Sequence, residues 1–447
     1  MKRPDRIRRI ISVMKRRYFG LSAFLLVWLF CASGVFAQTA AAVVTPEFPQ
    51  VRLDTFNKVW NTVNEKHYDP TFNGVDWAKV RVDYLPKAQA AKTDEEFHTV
   101  LRQMLGELKL SHFGVFQQAA AVAGTADVPA IVGIDVIWLD GVPVIERVQK
   151  DSRAEAAGLL PGFVIRSIDA KGIGERIKPV KESLEKREMG DGLRRMYLER
   201  AVEAMLSGKA GTKVAVEYLD AEDKPHKTEI ERAAYAGEMS QPMGHFPKQP
   251  VLFESRLLPE NIGYIRFNMW VIPQAAKIRA AMREFAKADG IIFDLRGNPG
   301  GVGGLAAGAA GLLTDKQLDL GSMRMRGGKM NLLAYPQSEP FLGKVIILSD
   351  HGTGSTSELF AAGLQELGRA KVIGGTSAGA VLPSVFEILP TGWTFQYAIS
   401  DYRSPKNILI EGRGVQPDIK VATTRVDLLA GRDPQLEAAV KAVREEK

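Results

Sequence analysis

The chain has 447 residues, of which 45% are hydrophobic and 25% charged, with six histidines and a single cysteine. This length predicts two or three globular domains, and one cysteine excludes an internal disulfide. The formal net charge of +7 lies wholly in residues 1–37, which hold eight basic residues and one acidic residue, so the remainder is neutral and nucleic acid is not an expected partner.

The N-terminus has the pattern of a secretory signal peptide. Basic residues precede an apolar run at 18–30, and small residues end at Ala37, after which we expect cleavage. Arg16-Arg17 resembles a twin-arginine signal, although the strongly apolar run favours general secretion. An uncleaved anchor is the alternative, and it is the only membrane contact expected. Because Cys31 lies in the leader, the rest suits an exported, periplasmic or otherwise extracytoplasmic location.

Residues 49–118 are predicted to form an N-terminal helical module. Apolar residues recur there at helical spacing, and Thr93 with Glu96 forms a predicted capping box for the last helix. Ser111 and His112 follow, at a corner between this helix and a short predicted strand.

Residues 128–236 predict a small β-barrel. Short apolar strands alternate with turns, and a charged helical insertion occupies 174–208. This unit resembles a PDZ domain, with Val132-Gly133-Ile134 where such domains receive a peptide carboxylate. The resemblance implies peptide binding by strand addition. The insertion departs from the family pattern, and the alternative is a spacer barrel that binds nothing.

In residues 250–435 strands alternate with helices. One amphipathic helix places Ile278, Met282 and Phe285 inward, and buried strands flank it. Such alternation predicts an α/β fold with a mostly parallel sheet, whose ligands gather where the strands end.

Ser355 follows an apolar strand and opens a helix. Unpaired N–H groups and the helix dipole at such a point stabilise an anion, as an acyl-transfer nucleophile requires. The alternative is that Ser355 only caps the helix, assisted by Glu358 in its first turn. The local pattern leaves both interpretations open.

The other glycine-rich loop, residues 294–301, lacks a phosphate-binding lysine and the GxGxxG spacing. Its N–H groups suit an oxyanion instead. Asp294 and Arg296 are predicted to form an internal charge pair.

The histidines show no metal-ligand spacing, so neither a metal nor another cofactor is expected. Four of them lie in polar sequence and are interpreted as solvated side chains: His67, His98, His226 and His245. His112 and His351 remain as candidates for a general base.

Three segments, DLRGNPGG (294–301), GTGSTSELFAAGLQELGRAKVIGG (352–375) and EGRGVQPDIKV (411–421), resemble S41-type serine peptidases of the C-terminal processing and tricorn group. The resemblance implies a ClpP-like or crotonase-like core and an exported serine endopeptidase. Its substrates would be protein or peptide tails. The alternative is a non-hydrolytic protein on the same fold that binds peptides or apolar ligands.

The group has two catalytic arrangements. The lysine of the C-terminal processing branch is replaced by Ala380, which favours the tricorn-like Ser-His-Ser-Glu branch. That resemblance implies Ser355 as nucleophile, His112 as its base, and Ser111 with Glu411 as orienting groups. The implied oxyanion hole combines the N–H of Thr356 with that of Gly300 or Gly301. His351, four residues before Ser355, is the rival base.

Overall fold

The computed structural model describes residues 49–117, 130–185 and 187–445. The predicted signal peptide, residues 1–37, lies outside the described residues. No helix within these ranges is both long and apolar enough to cross a membrane.

Three helices form where the apolar spacing predicted them, followed by a short strand. They are α1 (Gln50–Lys66), α2 (Trp77–Ala90), α3 (Asp94–Gly106) and β1 (Gly114–Phe116). The capping prediction is half confirmed: Thr93 Oγ1 accepts the Glu96 N–H at 3.1 Å, but the Glu96 carboxylate accepts the N–H of Lys92. Ser111 and His112 lie in the turn between α3 and β1.

Residues 130–231 form an antiparallel sheet with helices packed on it. The strands are β2 (Ile134–Leu139), β3 (Val142–Val148), β4 (Val164–Ile168), β5 (Lys171–Gly172), β6 (Lys213–Leu219) and β7 (Pro225–Glu231). The helices are α4 (Arg153–Ala156), α5 (Ile173–Glu185) and α6 (Asp191–Leu206). The sheet order is β2-β3-β4-β6-β7, with β5 beside β4. Helices α5 and α6 are the predicted insertion, and their apolar side chains join the core of this sheet.

The second half of the chain alternates strands and helices. The strands are β8 (Phe253–Leu258), β9 (Ile262–Phe267), β10 (Gly290–Asp294), β11 (Leu318–Met325), β12 (Gly328–Ala334), β13 (Lys344–Ser349), β14 (Lys371–Gly374), β15 (Ser384–Ile388), β16 (Thr394–Ala398), β17 (Asp401–Arg403) and β18 (Ile419–Lys420). The helices are α7 (Ile272–Glu284), α8 (Gly303–Ala310), α9 (Thr356–Glu366), α10 (Arg425–Leu429) and α11 (Pro434–Glu445).

The central sheet has the order β18-β14-β13-β10-β9-β8. All its neighbouring strands are parallel except the edge strand β8, so the predicted α/β fold with a mostly parallel sheet is confirmed. The inward positions predicted on and just after α7, namely Ile278, Met282 and Phe285, are buried. Strands β10 and β13 pair in register up to Asp294 and Leu348. The loops that follow them therefore meet at one edge of the sheet.

Two smaller sheets flank the centre, in the orders β1-β16-β15 and β12-β11-β17. Helices α1 to α3 pack on the first of these, so Phe56 and Leu101 share one apolar cluster with Leu382 and Phe395. The N-terminal helices thus have no separate core, and β1 carries the neighbouring His112 to the second half of the chain.

The prediction that His67 and His98 are solvated is wrong, because both side chains are fully buried. His98 Nε2 lies 2.9 Å from Thr391 Oγ1, and the His98 ring stacks on Trp393. Both partners belong to the turn between β15 and β16. Polar sequence neighbours gave no sign of this contact, since it joins segments far apart in the chain.

Candidate active site

Ser355 lies between β13 and α9 in a strained backbone conformation, with φ 50° and ψ −117°. An ordinary N-cap residue adopts the β region, so capping alone does not account for these angles. A serine on such a strand-to-helix turn is typical of an exposed nucleophile. Its N–H lies 2.9 Å from the Ala380 carbonyl oxygen and 3.0 Å from Glu358 Oε2.

Ser111, His112 and Glu411 form one hydrogen-bonded group. Ser111 Oγ donates to Glu411 Oε2 at 2.9 Å and lies 2.7 Å from His112 Nδ1. The Ser111 N–H donates to the other oxygen of Glu411 at 2.7 Å. Burial lowers the pKa of His112 to about 4, so its imidazole is neutral at pH 7.

One peptide group connects this set to Ser355. The Ala380 carbonyl accepts the Ser355 N–H at 2.9 Å, and the next N–H, that of Val381, donates to Glu411 Oε2 at 3.0 Å. Because a peptide group is rigid and planar, its two ends fix the backbone of Ser355 relative to the Glu411 carboxylate. The structure therefore places Ser111, His112 and Glu411 in direct contact and links Ser355 to them through this peptide group.

The glycine loop after β10 lies against the start of α9. At Gly300 φ is 101°, and a Cβ there would lie 2.6 Å from Ser355 Cβ and 2.8 Å from Thr356 N. The Gly300 N–H is engaged, because it donates to Asn298 Oδ1 at 3.0 Å. Thr356 Oγ1 donates to the Gly301 carbonyl at 2.8 Å. Only glycine fits at position 300 without displacing these groups.

The predicted charge pair of Asp294 and Arg296 is confirmed, with Nη2 and Oδ2 2.6 Å apart. Arg266 also lies 2.8 Å from the same carboxylate oxygen, a contact for which the sequence gave no signal. The two guanidinium groups hold the pKa of the buried Asp294 carboxyl well below its usual range. This network fixes the base of the glycine loop.

His351, the rival base, is bound to Glu199 rather than to the Ser355 side. Its Nε2 lies 2.7 Å from both carboxylate oxygens of Glu199, on α6. Burial by itself would lower the pKa of His351. The hydrogen bond to Glu199 and the nearby negative charge of Asp350 outweigh this effect and raise the pKa to about 9. His351 is therefore protonated at neutral pH, when it cannot accept a proton from a serine.

Glu358 is a site residue whose main role the sequence did not reveal. Its buried carboxylate accepts hydrogen bonds from Ser377 Oγ at 2.5 Å, Gly379 N–H at 2.7 Å and Ala380 N–H at 3.0 Å, besides the Ser355 N–H. Burial raises its pKa to about 7. Its position in the first turn of α9 suggested only a helix-dipole contact.

The predicted carboxylate-binding residues, Val132, Gly133 and Ile134, lie in the antiparallel unit of residues 130–231, where Ile134 begins β2. The Gly133 carbonyl accepts the Gln149 N–H at 2.9 Å, and the Val132 carbonyl accepts the Ala154 N–H at 3.0 Å. At Gly133 φ is 88°, and a Cβ would clash with Ser152. These contacts fold the loop over the start of α4.

In the described ranges, no group of three or more His, Cys, Asp or Glu side chains could hold a metal ion.

Two family models match parts of the chain. Residues 261–421 match the model of peptidase family S41, and residues 48–106 match the tricorn protease C1 domain. The chain is 26% identical over 414 residues to a carboxyl-terminal-processing protease of Picosynechococcus sp., covering 90% of this chain and 89% of the relative.

Solved structures share the fold. One is a photosystem II D1 C-terminal processing protease, with a TM-score of 0.56 and 23% identity, covering 84% of this chain and 94% of that one. Another is the tricorn protease, with a TM-score of 0.51 and 18% identity, covering 89% of this chain and 37% of that one. Residues 261–421 thus carry a peptidase family S41 domain, and the chain is a serine-type peptidase.

Proposed function

We propose that the protein is an exported endopeptidase that cleaves the carboxyl-terminal tails of proteins or peptides through an acyl-enzyme on Ser355. The names of its relatives, carboxyl-terminal-processing proteases, support this substrate class. The observation that carries the proposal is the 380–381 peptide group, which links the strained Ser355 to the group of Ser111, His112 and Glu411.

The hydrogen bonds of Ser111 indicate which nitrogen of His112 carries the proton. A hydroxyl has one proton, and that of Ser111 is donated to Glu411. Ser111 Oγ must then accept from Nδ1–H of His112, which leaves Nε2 free to accept a proton. As the imidazole becomes charged, Ser111 and Glu411 would stabilise it. This arrangement suits a general base for Ser355.

In the proposed reaction, Ser355 Oγ attacks the scissile carbonyl carbon while its proton passes to His112 Nε2. His112 then gives that proton to the leaving amine, and water later hydrolyses the acyl-enzyme by the reverse roles. Since the Gly300 N–H is engaged, we assign the oxyanion hole to the N–H groups of Gly301 and Thr356.

We further interpret residues 130–231 as a PDZ-like domain and the central sheet with its helices as a ClpP-like or crotonase-like core. The left-handed Gly133, in a loop whose Val132 carbonyl accepts the Ala154 N–H of α4, supports the first interpretation. A carboxylate would then bind at Val132, Gly133 and Ile134. The leader at 1–37 supports a location outside the cytoplasm. The non-hydrolytic alternative is not favoured, since the relatives are named proteases.

Hydrolysis of a fluorogenic peptide by purified variants tests the proposal. Ser355→Ala should abolish turnover and His112→Ala should reduce kcat by ~10²–10⁴, the usual contribution of a positioned base. His226→Ala, at a half-exposed side chain distant from these groups in the fold, is the control. Full turnover by Ser355→Ala would refute the nucleophile. Full turnover by His112→Ala, with loss in His351→Ala, would move the base to His351.

A further inference from the structure

Trp270 lies between β9 and α7, and its backbone runs beside the glycine loop. The Trp270 N–H donates to the Gly300 carbonyl at 2.8 Å, and the Trp270 carbonyl accepts the Val302 N–H at 2.8 Å. These two bonds make a parallel bridge between Trp270 and Gly301. A Cβ at Gly301 would lie 2.3 Å from the Trp270 carbonyl oxygen, so the two backbones are in direct contact.

This bridge fixes the direction of the Gly301 N–H, which we assign to the oxyanion hole. The Gly300 carbonyl and the Gly301 N–H belong to one planar, trans peptide group, so the N–H points away from Trp270. In the next peptide group, the Val302 N–H points to Trp270 and the Gly301 carbonyl points away from it. That carbonyl accepts Thr356 Oγ1 at 2.8 Å, at the start of α9.

The side chain of Trp270 reaches the same end of α9. Its indole Nε1–H donates to Ser357 Oγ at 2.9 Å, and both residues are fully buried. The rings of Phe267 and Phe360 pack on the indole, with centroids 4.8 and 5.3 Å from it, and so hold its plane. A buried indole has one donor and needs an acceptor, which here follows Thr356 in the first turn of the helix.

Trp270 therefore contacts both parts of the proposed oxyanion hole. Two backbone bonds hold the loop that carries Gly301, and one side-chain bond holds the turn that carries Thr356. Both N–H groups must lie about 3 Å from a single oxygen atom, and such a geometry has to be kept within about 0.5 Å. The direct bond from Thr356 Oγ1 to the Gly301 carbonyl is a second link between the two parts.

We propose that Trp270 is a positioning residue of the oxyanion hole, which holds the N–H groups of Gly301 and Thr356 at the separation that the tetrahedral intermediate requires. It acts through Ser357 and through the backbone of the glycine loop rather than on the reacting atoms. This inference rests on the proposed peptidase function and adds a residue to its machinery.

The rate at which a fluorophosphonate probe labels Ser355 tests the proposal without peptide turnover. In that reaction Ser355 Oγ bonds to phosphorus, its proton passes to the base, fluoride leaves, and the phosphoryl oxygen occupies the oxyanion hole. Trp270→Phe removes the donor and Ser357→Ala removes the acceptor. Each should slow labelling about three- to tenfold, the scale of one hydrogen bond. The double variant should be no slower than either single variant, because the bond is already lost.

Trp60→Phe is the matched control. The indole of Trp60, on α1, donates to the Trp77 carbonyl at 3.0 Å, so the change removes the same kind of bond between α1 and α2. It should lower Tm and leave the labelling rate unchanged.

Hydrolysis of a fluorogenic peptide separates positioning from a loss of packing. In Trp270→Phe and in Ser357→Ala, kcat should fall about three- to tenfold while KM changes less than about twofold, since the oxyanion donors act on the transition state. A fall in Tm with kcat unchanged would show that the bond only stabilises the fold.

If circular dichroism shows that Trp270→Phe does not fold, Ser357→Ala decides, because it leaves the packing of the indole in place. A folded Ser357→Ala variant with the labelling rate and kcat of the parent overturns the proposal. Additive losses in the double variant also overturn it, since they would show that the two side chains act separately.

Amide hydrogen exchange in a Ser355→Ala chain distinguishes failure of this inference from failure of the proposed function. Ser357→Ala should accelerate exchange at 300–302, where Trp270 binds the Val302 N–H, and Trp60→Phe should not. Unchanged exchange would overturn the positioning role even if Ser355 is the nucleophile. Faster exchange, in a protein whose parent chain the probe does not label, would refute Ser355 as nucleophile and support the contact.

Discussion

Ser355 and Glu411 bind opposite ends of one peptide group, through the Ala380 carbonyl and the Val381 N–H. The group fixes the relative positions of the candidate nucleophile and of the carboxylate that Ser111 links to His112, without a direct contact between them.

Ser111→Ala should lower kcat by about ten- to a hundredfold with little change in KM. The variant removes the hydroxyl that joins His112 Nδ1 to Glu411, and a hydrogen bond to a charged group contributes on that scale. Steady-state kinetics on a peptide substrate measure it, with the exposed Ser338→Ala as control. An unaltered kcat would show that Glu411 does not act on His112 through Ser111.

Ala380→Lys should not restore activity to His112→Ala. The Ala380 side chain packs with Leu193 and Ala378 in a buried apolar cluster. A lysine there would have to bury its charge or push α6 away, so we expect lower stability rather than a working base. Turnover and thermal melting of the double variant measure the outcome. Recovery of hydrolysis would mean that position 380 retains the geometry of the lysine branch.

Gly300→Ala should reduce kcat by about a hundredfold or more. Its methyl group would meet Ser355 Cβ and Thr356 N, at a backbone conformation that favours glycine. Gly308→Ala is the matched control, because its Cβ would enter open space on α8 and alanine favours a helix. Kinetics and urea unfolding should separate the two variants. Equal kinetics would place the oxyanion hole away from this loop.

The acidic limb of the pH profile of kcat/KM should lie near pH 4 rather than near 6.5. His112 acts as a base only when neutral, and burial lowers its pKa to about 4, so activity persists as pH falls until that value is reached. A limb near pH 7 would instead point to Glu358, whose pKa burial raises to about 7. Glu358→Gln would then remove that limb.

The sequence predicted the elements with strong local patterns. The apolar spacing located α1 to α3 and α7, and the alternation of strands and helices predicted the parallel sheet. The loop motifs also indicated Ser355, His112, Ser111 and Glu411 as one set, of which the structure places Ser111, His112 and Glu411 in direct contact.

Contacts between distant segments were not predictable in this way. The sequence near Glu199 does not indicate that its carboxylate contacts His351 and β2, because α6 has the pattern of an ordinary charged helix. The buried states of His67 and His98 were missed for the same reason. Local patterns determine the elements, whereas these contacts depend on how the elements pack.

Ser111 and Glu411 lie 300 positions apart in the chain, and this separation determines when the site can form during synthesis. A chain that is synthesised from its N-terminus presents His112 first, Ser355 later and Glu411 last of the three. Under the proposed mechanism, a partly emerged chain would hold a nucleophile and an unoriented base. Under that mechanism, the growing chain would stay inactive until the segment that carries Glu411 has docked.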